Sequence, residues 1–403
     1  MIAHLFCFAY CFFTKIIVRK FGYLVKTVHD FWKRGNNSRK GGESVESFIC
    51  ETKIISGAGA VAELKTLKAK RLLMVCDPYF YENGVAQKVA AGAAEEIAYF
   101  HEVMPDPTVT LAARGTALVK EFDPDLLVAL GGGSAMDCAK AMVYFSGSRA
   151  TLVAIPTTSG SGSEVTDFAI LTHDGVKHPL VDKKLRPQMA ILDSELLHSM
   201  PPKLVADGGF DVLCHAMEAY TATGAGEFSD MLAKEAFSTV YALLPASYGG
   251  RKDVRQRIHS ASTMAGLSFT HAGLGLCHAM AHSLGGAFHV PHGRLNAMLM
   301  PAVIQCNAYR AGDKYARLAQ AAGIGGSAAT MGVRNLKNAL IRLRRELGMP
   351  GTLAEAGIHP GQVWNRQREI VAAALADPCC QTNPVPVEEF MVRKVLEEIT
   401  GRG

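Results

Sequence analysis

The stretch Leu126-Leu127-Val128-Ala129-Leu130-Gly131-Gly132-Gly133-Ser134-Ala135-Met136-Asp137 decides the class of fold. Its five apolar residues make a strand buried on both faces, three glycines turn the chain, and a helical pattern over 135–144 follows at once. Bare amides and the positive end of a helix then face one point, a place for an anion. Working outward, apolar runs of strand length recur at 71–76, 152–155 and 189–192, with helical spacing between them. Strands alternating with amphipathic helices imply an α/β domain with an open, mostly parallel sheet. Its ligands sit beyond the carboxyl ends of the strands.

A second glycine loop competes for the anion. Gly57-Ala58-Gly59-Ala60-Val61-Ala62 follows the apolar stretch 53–55, and Asp77 closes the next strand, where a ribose-binding acid belongs. A GxGxxA string is a weak signal by itself, so the 131–134 loop is preferred and Gly57 and Gly59 are read as a turn into a helix. Asp77 is informative under either choice. A carboxylate there accepts from both ribose hydroxyls and repels a 2′-phosphate, which favours NAD over NADP. Its alternative role is to cap a helix beginning at Pro78. Pro156-Thr157-Thr158-Ser159-Gly160-Ser161-Gly162-Ser163-Glu164-Val165-Thr166 packs hydroxyls and glycines into one loop. It suits hydrogen bonding to a nicotinamide ribose, an amide or a phosphate, or else is a polar surface turn.

After Met200-Pro201-Pro202 the strand signal ends and helical periodicity takes over, through 230–244, 336–347 and 387–399. A domain boundary belongs there. In this half Asp211 and His215 are four apart and project from one helix face, as do His278 and His282; His289 and His292 follow. Four histidines within fifteen residues, of 14 in the chain, are more than scattered core or surface histidines explain. Asp plus three imidazoles, with a coordination position left open, suits Fe(II), zinc or another divalent Lewis acid.

Composition sets the frame around these motifs. With 403 residues, 49% apolar and 20% charged, the chain builds one large or two medium domains, which excludes disordered and collagen-like classes. Ten cysteines without a CxxC point to a reducing compartment and no cysteine zinc knuckle. The net charge of +5 is confined to residues 1–44, which carry +6 and leave the other 359 residues at −1. The body therefore has no basic face for nucleic acid.

In the N-terminal segment 1–46, the apolar run 2–13 is about eight residues too short to span a bilayer, and the flanks of a secretory signal are missing. Ile17, Phe21, Leu24, Val25, Val28 and Trp32, beside Arg19, Lys20 and Lys26, form a basic amphipathic helix that could dock on a membrane, a partner or a protein shell. Lys40-Gly41-Gly42-Glu43 is also what a purine-rich ribosome-binding stretch yields when translated, so the segment is alternatively an over-extended reading frame starting properly at Val45.

Together the strings 131–137, 155–166, 211–220 and 273–293 resemble the iron-containing (group III) alcohol dehydrogenase family, and the resemblance covers nearly everything from Phe48 to the C-terminus. Within it, Pro105-Asp106-Pro107-Thr108 and the strings around His278 and His292 look most like the 1-propanol dehydrogenases of propanediol-utilisation microcompartments. The resemblance implies a dinucleotide-binding domain over 47–200 and an all-α metal-binding domain over 201–403. It implies that Asp211, His215, His278 and His292 bind Fe2+, with Zn2+ the alternative, and that His282 relays a proton. It implies that Asp77, Gly132, Gly133, Ser134, Asp137, Thr157, Thr158, Thr166 and Lys177 contact or frame NAD.

The activity it implies interconverts a short-chain aldehyde, such as propanal, and its primary alcohol by hydride transfer. A homodimer, no transmembrane span, and a cytoplasmic setting, with a bacterial microcompartment, its shell and pathway enzymes as the finer option, complete the expectation. Glycerol dehydrogenase-like and dehydroquinate synthase-like members share the two-domain plan, and a shell- or membrane-docking protein acting through residues 1–44 is the rival from another class. Three departures stand out: Ser161 where the family carries threonine, Arg294 in place of an apolar residue, and the N-terminal segment.

Overall fold

The computed structural model describes residues 47–173, 175–326 and 328–401, so the readings of the N-terminal run and amphipathic stretch lie outside the described residues. The first unit contains β1 (Lys53–Ser56), β2 (Ala69–Cys76), α1 (Pro78–Glu82), α2 (Val85–Ala90), β3 (Ala94–Phe100), α3 (Val109–Phe122), β4 (Leu126–Gly131), α4 (Gly133–Ser146), β5 (Thr151–Pro156), β6 (Phe168–His173), β7 (Val176–Val181) and β8 (Met189–Leu192). Six strands form a parallel sheet in the order β1-β8-β5-β4-β2-β3, and β6 pairs antiparallel with β7 in a separate ribbon.

The sheet is covered on both faces, which is why its central strands read as unbroken apolar runs. Leu72, Met74, Leu126, Val128, Leu130, Val153 and Ile155 turn to one face, with Val89 and Ala90 of α2. Leu73, Val75, Leu127, Ala129, Leu152 and Ala154 turn to the other, against Val119 of α3 and Ala135, Met136 and Met142 of α4. The alternation is the period-2 rule of the strand. The order also contains one reversal: β3 lies on one side of β2, whereas β4 lies on the other and β5 and β8 continue away from it. At that switch point the ends of β2 and β4 stand side by side, Cys76 opposite Leu130, so Asp77 and the Gly131 loop emerge together.

The second unit contains α5 (Pro202–Thr221), α6 (Glu227–Tyr248), α7 (Arg255–Ala272), α8 (Leu276–Phe288), α9 (His292–Ala321), α10 (Ala329–Glu346), α11 (Pro360–Asn365), α12 (Gln367–Ala376) and α13 (Glu389–Thr400). Its core is one continuous apolar cluster in which α5 is the central rod, buried on almost every side from Val205 to Thr221. Polar groups on such a rod must find partners within the protein.

The chain passes from the first compact unit to the second at Leu197/His198, just ahead of Pro201-Pro202. The loop 159–162, which the sequence reading keeps with the strands, belongs with the helices. The reason is close backbone approach: a Cβ on Gly162 would stand 2.7 Å from Gly266 Cα, and one on Gly208 would stand 2.4 Å from the Ser159 carbonyl oxygen. Among the described residues, no helix is long and apolar enough to cross a membrane.

Candidate functional site

The two glycine loops have different fates. At the first, the amides of Gly59 and Val61 donate to the buried Asp193 carboxylate at 3.1 and 3.0 Å. That turn, leading into the 3₁₀ helix Ala60–Leu67, already holds its anion. At the second, Gly132 is the N-cap of α4 and no side chain caps the helix. Gly131 has φ +152°, and a Cβ there would stand 2.7 Å from the Ala135 Cβ, so only glycine fits. The preferred loop is thus the one that opens a helix without a side-chain cap.

Asp77 takes the capping role weighed for it and stands beside the Gly131 loop. One carboxylate oxygen caps α1 by accepting from the Phe80 amide at 3.1 Å, and the other would lie 3.9 Å from a Cβ on Gly131. Burial raises its pKa, opposed by bonds from the Phe80 and Tyr79 amides. Thr157 is tied to the loop by its amide, which donates to the Gly131 carbonyl at 2.9 Å, and Thr158 Oγ1 lies 3.2 Å from where a Cβ on Gly132 would stand.

Three other expected cofactor residues engage partners within the protein. Asp137 accepts from Ser163 Oγ at 2.8 Å and from the Ile170 amide at 3.0 Å. The buried Lys140 ammonium, absent from the sequence-based set, donates to Ser163 Oγ, to Oγ1 and the carbonyl of Thr166, and to the Phe168 carbonyl at 2.7–3.1 Å. Burial lowers its pKa to about 8, although Asp137 and Asp167 pull the other way. Lys177 sits on β7 paired with Asp106 at 2.6 Å, so its charge is already partnered.

In the second unit α5 stacks Asp211, His215 and Glu218 down a buried face, while α8 brings His278 and the first residue of α9 brings His292. His215 Nδ1, His278 Nε2 and His292 Nε2 lie 3.9, 3.9 and 3.5 Å from Asp211 Oδ1. Bonds of about 2.0–2.2 Å to a single ion reach across such separations. The donors fit a cation on a second ground: His215 Nδ1 and His278 Nε2 are buried without a hydrogen-bond partner. Burial, reinforced by the charges of His215 and His282, holds His278 well below the ordinary imidazole value; burial likewise depresses His292 strongly and His215 more mildly. Burial thus biases all three rings toward the neutral form, in which one ring nitrogen carries a lone pair.

The surroundings fix these rings. His278 Nδ1 donates to Glu218 at 2.7 Å, which sets Nε2 as the lone-pair nitrogen, and Asn296 donates to Asp211 Oδ1 at 2.8 Å. Glu218 also accepts from the amides of Gly275, Cys277 and His278 at 2.7–3.3 Å. Burial raises its pKa to about 7 against those bonds. His282 stands beside the cluster, its ring 5.2 Å from that of His292, with Nδ1 2.8 Å from Asp377 Oδ2. His289 is the left-handed C-cap of α8.

Sequence reasoning missed Glu218, Asn296, Lys140 and Asp377. Glu218 had a signal, since it lies seven residues after Asp211 on the same helix face. Asp377 had none, being 95 residues from His282. Arg294 forms a two-pronged pair with Asp207, Nε and Nη2 lying 3.1 and 2.8 Å from its two oxygens. A Cβ on Gly293 would stand 1.9 Å from the Asp207 carbonyl oxygen, so the start of α9 is pressed against α5 beside His292.

Comparison with known proteins follows the same division. The iron-containing alcohol dehydrogenase family matches over residues 51–194 and the C-terminal region of the Fe-containing alcohol dehydrogenase family over residues 205–400. The 1-propanol dehydrogenase PduQ of Citrobacter freundii is 41% identical over 372 residues, 88% of this chain and 100% of that protein. The NADPH-dependent butanol dehydrogenase of Clostridium saccharobutylicum is 36% identical, covering 87% of this chain and 97% of its own. Among solved structures, the iron-containing alcohol dehydrogenase of Thermococcus thioreducens superposes with a TM-score of 0.82 at 32% identity, over 88% of this chain and 100% of that one.

Proposed function

Because the chain belongs to the iron-containing alcohol dehydrogenase family, we propose that it interconverts a short-chain aldehyde, propanal first among the candidates, and its primary alcohol with NAD(H) and divalent iron. Residues 47–200 act as the dinucleotide-binding domain and 201–403 as the metal-binding domain. The observation that carries the reading is the pair of partnerless buried imidazole nitrogens facing Asp211.

Asp211, His215, His278 and His292 hold the ion. The amides opening α4 hold the pyrophosphate, Asp77 accepts from the ribose, Thr157 and Thr158 line the loop, and Asp137, Thr166 and Lys177 act as its frame. When bound, the nicotinamide supplies the hydride and the ion supplies a Lewis acid that polarises the carbonyl or acidifies the alcohol. Glu218 keeps the His278 proton on Nδ1 and so keeps Nε2 available to the ion. Asp377 does the same for His282: with Nδ1–H donating to the carboxylate, Nε2 is the nitrogen that gives or takes the substrate proton. Carboxylate at Asp77 supports NAD over NADP. The relative named for NADPH makes that preference a point to measure.

The test is NADH oxidation with propanal under anaerobic conditions, using metal-stripped protein reloaded separately with Fe(II) and Zn(II). Fe(II) should restore turnover with one NADH consumed per aldehyde. No turnover with either ion overturns the reading, and chemistry without net NADH consumption points to a dehydroquinate synthase-like reaction.

A further inference from the structure

We propose that His282, Asp377 and Cys379 form a second cation site, selective for a thiophilic divalent ion such as zinc, whose occupation disables His282 as a proton relay. The existence of this site stands on geometry alone; its consequence rests on the relay reading above.

The ligand atoms of the three residues all lie within 4.8 Å of one another. The carboxylate between them is held in place: Asp377 caps the 3₁₀ helix Pro378–Thr382, accepting from the Cys379 amide at 2.9 Å through one oxygen and facing His282 Nδ1 at 2.8 Å through the other. The turn brings the Cys379 thiol back to the same carboxylate, with which it hydrogen-bonds. Three protein donors with a fourth position for water match the plan of many zinc sites.

Donor chemistry separates this site from its neighbour. The Asp211 set offers only nitrogen and oxygen, whereas this one adds sulfur, which favours zinc over iron. Reach separates it from a third cluster, Cys214, Glu218 and His278, whose donor atoms also lie within 4.8 Å of one another. All of those residues are buried, and Glu218 already accepts three amides as well as His278. By contrast the His282 and Asp377 side chains are 28% and 14% exposed, so an ion can arrive from solvent.

Occupation changes the tautomer of the relay. Bonded to Asp377, the neutral His282 ring carries its proton on Nδ1 and a lone pair on Nε2. With an ion on Nδ1, the remaining proton moves to Nε2, which then has no lone pair for the substrate proton. The Cys379 thiol releases its proton to solvent on binding, and the thiolate completes the site.

Cobalt(II) is the probe, because a thiolate-to-cobalt charge-transfer band arises only where sulfur binds. Stripped full-length protein is titrated anaerobically through two equivalents of Co(II), and Zn(II) inhibition is measured on the iron-loaded enzyme. The band should appear with the second equivalent in wild type and in Cys214→Ser, and vanish in Cys379→Ser, which should still take the first equivalent and thereby show an intact fold. Zinc should inhibit Cys379→Ser at least an order of magnitude more weakly than wild type. A band missing from wild type, kept in Cys379→Ser, or lost in Cys214→Ser overturns the site. A band that behaves as expected while zinc leaves turnover unchanged overturns the switch. The band reads out even if propanal proves not to be a substrate, so failure of the functional reading is seen separately.

Discussion

The two compact units offer their ligand groups by opposite means. In the first unit the loop at the end of β4 presents backbone amides, and the side chains around it act as a frame: Asp137, Lys140 and Thr166 bond to one another's neighbourhood rather than outward. In the second unit the candidate ligand atoms belong to side chains, brought from three helices, with Glu218 bonded to the His278 ring. An amide site is a property of a short contiguous string and a helix end. A side-chain site is a property of packing, so its accuracy depends on residues far apart in the chain.

His278→Ala puts the contrast to its most severe test. Losing one ligand from the packed set should abolish stoichiometric iron binding and lower kcat/KM by about 10³-fold or more, the several kcal/mol that a Lewis acid supplies. NADH binding, followed by fluorescence, should stay within about threefold, since the amide site needs nothing from α8. Equal loss of both would show that the two sites are not separable. Glu218→Gln should act more gently through the same ring: the neutral amide weakens its hold on the His278 tautomer, and Fe(II) affinity, measured against a chelator, should fall about 10–100-fold. Unchanged affinity would mean that His278 is oriented by packing alone.

How much of this was legible follows from the same contrast. The strands, the loop at 131–134 and the helix after it were readable because period-2 burial, glycine and a helix start are all local. The pairs Asp211/His215 and His278/His282 were readable because four residues is one helical turn. Spacing could not say which histidines converge. That is decided where α8 and α9 pack against α5, and there His289 turns out to end a helix while His292 begins one. Nor could it show that the Gly57 loop is filled, because Asp193 lies more than 130 residues further along. The placement of 159–162 with the helices was hidden for a like reason, since it depends on glycines meeting across distant segments.

Lys140 tests how far the amide site leans on the side chains beneath it. Its pKa is depressed by burial to about 8 from the ordinary 10.5, so below pH 8 both folded and unfolded chains carry the proton. Between those values the unfolded chain binds more protons than the folded one, and stability rises with pH. Relative to Lys140→Met, which lacks the titration, wild type should therefore gain on the order of 2–3 kcal/mol of unfolding free energy between pH 8 and 10.5. Denaturant melts across that window measure it, and a constant difference would mean that the lysine keeps its charge throughout. The methionine also leaves Ser163, Thr166 and the Phe168 carbonyl without their donor, so the variant should be the less stable of the two at every pH.

The smallest effect belongs to Asp77, the side chain that stands beside the backbone loop. One oxygen caps α1 and the other faces the Gly131 turn, so Asp77→Ser should keep the cap through its hydroxyl while removing the charge. Without that charge a 2′-phosphate is no longer repelled and the ribose loses its acceptor. NADH should then weaken and NADPH improve, shifting the ratio of their kcat/KM values by about tenfold, or 1.4 kcal/mol. Iron content should not move, because Asp77 and the metal ligands belong to different units. An unchanged ratio would assign Asp77 to capping alone and leave dinucleotide choice to groups further from the loop. A changed ratio together with lost stability would show that cap and ribose contact cannot be separated at this position.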